Sequence, residues 1–246
     1  RKKSLSALEY DFALSIPDDR EVPLRGEATL RFDYSPQAAS IREHAEIEEF
    51  PLVLDFVDAA NRLDSVIVNG LQSRWSAVQD HVLIPVAMLK NGRNSITLSF
   101  DAGEAALNRS PDFLYTLFVP DRAHFSLPLI DQPNLKGAVA WTITAPSDWQ
   151  VVTNGSELSA SGSLSRSLSR PLSQPLDRAL SQTPSQARNQ VEDRTTRVFT
   201  RSAPLPSYLF AFVAGEFQRE TKTVAGRAMT MYHRETDRDK VDANID

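Results

Sequence analysis

The 246-residue chain reads as mainly β, a sandwich or a set of curved open sheets. Two features lead there. Apolar and polar residues alternate through much of the first half, the signature of strands with one face buried. Turn-forming groups, Pro17-Asp18-Asp19 and Asn69-Gly70 among them, separate the alternating runs at short intervals. Hydrophobic residues at 41% and charged residues at 24% suffice for a buried core under a solvated surface, so a folded, water-soluble class is expected. The length accommodates one large β domain or two small ones.

The elements follow in order. Leu8, Tyr10, Phe12, Leu14 and Ile16 alternate and define a first strand, stopped by Pro17-Asp18-Asp19. Ala28, Leu30, Phe32 and Tyr34 define a second. Residues 53–56 make a short strand. Leu63, Val66, Ile67 and Val68 make another, closed by Asn69-Gly70, where both residues tolerate positive φ. After an apolar stretch at 81–85, residues 88–92 read as a short helical turn capped by Gly92, and Ile96, Leu98 and Phe100 alternate again. In the second half Val139, Trp141 and Ile143 share a face, with Trp141 expected in the core. Residues 151–153 lead into Asn154-Gly155, a second hairpin signal. The continuous apolar run 208–214 reads as a strand buried on both faces. Residues 217–221 and 228–232 form a last hairpin around Ala225-Gly226.

From Ser163 the text changes to SLSR-SLSR-PLSQ-PLDR-ALSQ, with Leu164, Leu168, Leu172, Leu176 and Leu180 at every fourth position. An amphipathic helix would show such a stripe. Pro171 and Pro175 oppose it, since a proline inside a helix costs about 3 kcal/mol. Serine is abundant and aromatics are absent, so the expectation is a low-complexity insertion in a surface hairpin, spanning about residues 156–194. Residues 235–246 are charged and helix-compatible, with Thr236 as the cap and Asp237 and Asp239 in the first turn. They read as the start of a following domain.

Composition excludes several kinds of chemistry. A net charge of -5 without a basic block does not suit a nucleic-acid partner, which needs clustered Lys and Arg. The absence of cysteine removes disulfides, thiolate metal sites and Cys nucleophiles. No apolar run approaches the ~20 residues of a membrane span. His44, His81, His124 and His233 include no pair at the i, i+4 spacing of a helical zinc site, and read as lone surface or strand residues. Phosphate-binding glycine loops and a Gly-x-Ser-x-Gly elbow are absent. Asp18-Asp19 and Glu48-Glu49 read as solvated surface. Trp75, Trp141 and Trp149 are scattered, not arranged as a carbohydrate-binding stripe. The residues alone thus give a β domain with no catalytic constellation.

One segment says more. Residues 112–123 followed by Leu127-Pro128-Leu129-Ile130-Asp131-Gln132-Pro133-Asn134-Leu135-Lys136 resemble a stretch in the N-terminal domain of aminopeptidase N-type (gluzincin) zinc peptidases. That stretch commonly reads Phe-Pro-Cys-Phe-Asp-Gln/Glu-Pro-x-x-Lys. Pro128, Asp131, Gln132, Pro133 and Lys136 match, while Leu127, Leu129 and Ile130 are apolar replacements for Phe, Cys and Phe. The order of the surrounding strands agrees over roughly residues 7–155 and 195–246.

The resemblance implies a saddle of β-strands over residues 1–234 that packs on a thermolysin-like catalytic domain, which would begin at 235–246. It implies a parent enzyme that removes N-terminal residues from peptides with zinc-activated water. The zinc ligands would lie in that following domain, so no cofactor, metal ligand or catalytic residue is expected in this chain. The implied partners are the chain's own C-terminal catalytic domain and a peptide substrate. Leu117 and Val119 fall where the family carries a polar Gln or Glu toward the pocket for the first substrate side chain. Being apolar, they would favour apolar first residues; the alternative reading is that Leu117 and Val119 simply sit in a strand. Asp131 and Arg122 read as buried or loop-fixing polar groups, not as catalysts. Two other readings stand beside this one: a free-standing β-sandwich module for peptide or carbohydrate, and a catalytically dead homologue used as a protein-interaction scaffold.

Overall fold

The computed structural model describes residues 4–36, 50–163 and 193–245. The chain runs through β1 (Leu5–Ser15), β2 (Arg25–Tyr34), β3 (Leu52–Asp55), α1 (Ala59–Arg62), β4 (Leu63–Val68), β5 (Leu71–Gln72), β6 (Ser76–Val78), β7 (His81–Ile84) and β8 (Gly92–Asp101). It continues through β9 (Leu107–Ser110), β10 (Phe113–Thr116), β11 (Gly137–Pro146), β12 (Gln150–Thr153), β13 (Glu157–Ser163), β14 (Arg194–Phe199) and β15 (Phe212–Gly215). The hairpin β16 (Gln218–Val224) and β17 (Arg227–His233) and the helix α2 (Arg238–Ile245) follow. His44, Glu48-Glu49 and the leucine repeat at 164–180 lie outside the described residues.

The mainly β class is what the structure shows. An eight-stranded sheet has the order β13-β14-β11-β1-β2-β8-β4-β5. A four-stranded sheet (β12-β15-β10-β9), a three-stranded sheet (β3-β7-β6) and the β16-β17 hairpin complete the set, and none closes into a barrel. Alternation along β1 sends Leu8, Tyr10, Phe12 and Leu14 inward while Glu9, Asp11 and Ala13 face out. Leu30, Phe32, Ile96, Leu98, Val139, Trp141 and Ile143 join them on the same buried face. The smaller sheets pack there through aromatic contacts: Phe210 meets Tyr10 at 5.3 Å, Phe212 meets Trp141 at 5.2 Å, and Phe56 meets Phe100 at 5.6 Å. Gly137 opens β11 because a Cβ there would stand 2.5 Å from the Tyr10 ring.

Two hairpin turns match the sequence expectation. Asn69 (φ 52) and Gly70 (φ 83) join β4 to β5, and Ala225 (φ 48) and Gly226 (φ 76) join β16 to β17. Other expectations are corrected. Asn154-Gly155 is not a hairpin turn, because β12 pairs with β15 while β13 pairs with β14 in another sheet. Asn154 instead ties segments together: its Oδ1 accepts from Trp141 Nε1 (3.2 Å) and the Ala211 amide (2.8 Å), and its Nδ2 donates to the Leu209 carbonyl (2.8 Å). Those bonds also break the apolar run at 208–214. Ser207–Leu209 form a 3-10 turn, and only Phe212–Gly215 enter a sheet.

The turn expected at 88–92 is a 3-10 turn at Val86–Met88. Buried Asn94 takes the next backbone groups, accepting from the Lys90 amide (2.8 Å) and donating to the Lys90 carbonyl (2.7 Å). Asp237, not Thr236, precedes α2 and accepts the Asp239 amide at 3.1 Å. Residues 157–163 and 194–199 pair as the two arms of a hairpin, so the ends of the stretch read as low-complexity carry regular structure.

Arg109 secures the β1–β2 connection. Its side chain, 6% exposed, donates to the carbonyls of Pro17 (3.3 Å), Asp19 (3.0 Å) and Val22 (2.8 Å). Arg109→Ala is expected to lower stability by about 2–3 kcal/mol in urea denaturation, because it strips a charged donor from three carbonyls at once. Arg109→Lys should restore little of the loss, having no planar fork to span them.

Candidate functional site

The matched segment lies against the end of β3. The Asp55 amide donates to the Leu129 carbonyl (2.7 Å) and the Leu129 amide returns the bond to Asp55 (3.1 Å). This two-bond bridge sets Asp131 beside Asp55, and the Asp131 amide donates to Asp55 Oδ2 at 2.8 Å. The Val57 amide reaches the His124 carbonyl at 3.0 Å, which fixes the 3-10 turn Ala123–Phe125 on the same strand end. On the core side the Ile130 amide approaches the Tyr10 hydroxyl at 3.4 Å, linking the segment to β1.

Asp131 is the centre of this arrangement. Its side chain is 2% exposed. Its Oδ2 accepts His124 Nδ1 at 2.7 Å and the His124 amide at 3.2 Å, and its Oδ1 accepts the Ser207 hydroxyl. Asp55 makes a parallel pair with His81 Nδ1 at 3.0 Å. Asp121, held at φ 66, brings its carboxylate to 4.0 Å from His124 Nδ1. Asp55, His81, Asp121, His124, Asp131 and Gln132 together line a cleft of about 330 Å³.

The electrostatics follow from these contacts. Burial pushes the Asp131 carboxyl up, but hydrogen bonds from His124, Ser207 and the His124 amide outweigh it and hold the group below the ordinary 3.8. The bond to Asp131 raises the His124 imidazole above 6.5, more than burial lowers it. The pair is therefore an ion pair at mildly acid pH. A second hollow of about 300 Å³, on the large sheet, is lined by Ala13, Arg25, Phe100 and Thr142 among others. Arg25 there is engaged with Asp101 (3.0 Å) and Asp64 (3.3 Å), and no histidine is present.

The sequence-selected residues divide into two groups. Pro128 and Asp131 are buried, Gln132 is half-buried, and Pro133 and Lys136 are exposed. Arg122 is exposed and lies over the Phe125 ring at 5.4 Å. Leu117 and Val119 stand apart from the cleft, just after β10 and not within a strand. They are 47% and 54% exposed on either side of buried Phe118. His81 and His124 are not the lone histidines that the sequence suggested, since each is joined to a buried carboxylate. Asp55 and Ser207, distant in sequence from Asp131, carried no local signal of this role.

The arrangement of these sheets is similar in fold to the β-rich part of solved zinc metallopeptidases. The chain resembles a Deinococcus radiodurans M1 zinc metallopeptidase bound to a Tyr-Ser-Ala substrate, with TM-score 0.60 and 18% identity, covering 93% of this chain and 47% of that one. It resembles yeast LTA4 hydrolase at TM-score 0.63 and 15% identity, covering 94% of this chain and 32% of that one. It resembles Legionella pneumophila aminopeptidase A in complex with aspartic acid at TM-score 0.65 and 19% identity, covering 93% of this chain and 24% of that one. At these identities the likeness is one of fold, and the chain spans less than half the length of each. No protein-family model and no curated protein matches it.

Asp131→Asn is expected to cost about 3–5 kcal/mol, because it leaves the His124 imidazole without its partner. Stability should also follow pH with two limits. The Asp131 contribution is complete above 3.8 and fades as pH falls through its lowered folded value. The His124 contribution is complete below 6.5 and fades as pH rises through its raised folded value. Denaturation midpoints across pH should therefore show a maximum between those values that is flattened in Asp131→Asn.

Proposed function

We propose that the chain is the non-catalytic N-terminal β domain of a zinc aminopeptidase that removes N-terminal residues from peptides. The observation that carries this reading is the asymmetry of coverage. Nearly the whole chain superposes on metallopeptidases of which it spans 24% to 47%. The motif residues add to it, since Asp131 stands at the point where β3, the 121–132 segment and Ser207 meet.

A catalytic zinc of the His-Glu-x-x-His type does not fit the residues present, because no such pair occurs in the 246 residues. That metal and its water would belong to a following domain, and no chemical step is assigned to this chain. Its contribution is support and selection. The β16-β17 hairpin exposes Val224, Met229 and Tyr232 and forms a sheet of its own. Two-stranded hairpins are marginal in water without a packing partner, which supports a catalytic domain seated against it. Leu117 and Val119 present exposed apolar side chains, which supports a pocket edge that favours apolar first residues.

Two measurements test this. The parent sequence beyond residue 246 should contain His-Glu-x-x-His with a downstream Glu. A stop codon, or a continuation without these ligands, overturns the peptidase reading. In the full-length enzyme, Leu117→Glu should lower kcat/KM for apolar first residues by about tenfold and improve it for basic ones. An unchanged preference removes Leu117 from the pocket while leaving the domain's supporting role intact.

A further inference from the structure

We infer that the outward face of the four-stranded sheet, centred on Tyr115, Val152 and Val213, is a docking face for an apolar surface of the following domain. The inference rests on the preceding reading for the existence of that domain, not for its chemistry.

Strand register carries it. Leu114, Ala214 and Val151 pair across β10, β15 and β12, and all three are buried. Side chains alternate along a strand, so the adjacent pairs, Tyr115↔Val213 and Val213↔Val152, face away from the core. They make one row across three strands, and Phe113 extends it by stacking on Tyr115 at 6.1 Å. All four stay partly exposed, and none belongs to the core cluster or packs against it.

The eight-stranded sheet supplies the contrast. On its outer face Asp11, Thr29 and Thr97 stand opposite one another. Polar residues of this kind are what a sheet face in contact with water carries. The four-stranded sheet departs from that rule at facing positions of three strands, which is the composition of an interface centre. Asn108 and Ser110 on β9 and Gln150 on β12 supply a polar rim, and Asn108 fixes the Tyr115 ring by donating to its hydroxyl at 2.5 Å.

The course of the chain selects the partner. Arg234, the residue after β17, pairs with Asp112 and lies over the Phe113 ring at 4.5 Å. The chain therefore passes this face on its way into α2. The same contact joins the row to the β16-β17 hairpin, whose Met229 and Tyr232 are also exposed. A domain that follows α2 is delivered beside both apolar surfaces, so the occupant is the next domain of the same polypeptide and not a second copy.

The test uses the full-length protein. In hydroxyl-radical footprinting Phe113 and Tyr115 should react as slowly as buried Phe12, once corrected for intrinsic reactivity. Val152→Glu and Val213→Glu each place a charge in the interface. Each should speed trypsin cleavage after Arg234, Arg238 and Lys240 by at least about tenfold, as the domains part. Each should also separate thermal unfolding into two transitions where wild type has one. Thr97→Glu, on the outer face of the large sheet, should leave both readouts at wild type. Phe113 and Tyr115 that react as exposed rings overturn the inference without any variant having to fold. So do Val152→Glu and Val213→Glu proteins that behave like Thr97→Glu. A protected face on a following domain without His-Glu-x-x-His upholds the inference and removes the peptidase, and a reactive face beside a domain with that motif does the reverse. A chain that stops at residue 246 has no such occupant and overturns both.

Discussion

Burying one carboxylate sets the terms for the middle of this molecule. A charge in a low-dielectric setting is tolerated only with nearly every lone pair occupied. Asp131 meets that condition with an imidazole, an amide and a hydroxyl drawn from two separate stretches of chain. Its own amide is spent on Asp55, which in turn holds His81. Strand β3, the 3-10 turn at Ala123–Phe125 and the turn at Ser207–Leu209 are thereby placed relative to one another with little freedom. The Tyr10 hydroxyl connects that polar knot to the aromatic core, where Phe12, Trp141 and Phe210 continue the packing.

The two faces of the large sheet do different work. The inner face is apolar and supplies the burial that drives folding. The outer face carries ion pairs such as Arg93 with Glu9, and Asp11 shared between Arg31 and Arg201. Those pairs are solvent-exposed and contribute little to stability, though they keep the face from pairing with other sheets. Chemistry-bearing side chains gather where short strands end against loops. There the backbone is irregular enough to aim five ionisable groups into one cleft.

Strands were legible in the sequence wherever local pattern and burial agree. The alternation at Tyr10, Phe12 and Leu14 could have only one face inward once a core existed. The two φ-positive turns announced themselves through Asn69-Gly70 and Gly226. The pattern misled where a side chain takes over a backbone role. Asn154 satisfies the groups that a hairpin at 154–155 and a strand through 208–211 would have used, and Asn94 does the same for the 88–92 turn. Asn residues of this kind look like ordinary turn formers until their partners are known. The motif around Asp131 was visible as a string of residues, but not as a site. Asp55, His81 and Ser207 meet it only through tertiary pairing, and no spacing rule spans such separations.

The pairing of β1 has a consequence for how the chain is made. The first strand in sequence is not an edge. It lies between β2, antiparallel to it, and β11, which runs parallel to it in a register from Leu8↔Gly137 to Ser15↔Thr144. During synthesis the hairpin β1-β2 emerges early, but one flank of β1 stays open until β11 has left the ribosome. Contacts of such long sequence separation close slowly. For that interval Tyr10, Phe12 and Leu14 lack their neighbours Val139, Trp141 and Ile143 on β11, so a nascent chain stalled before β11 is the form most in need of a chaperone.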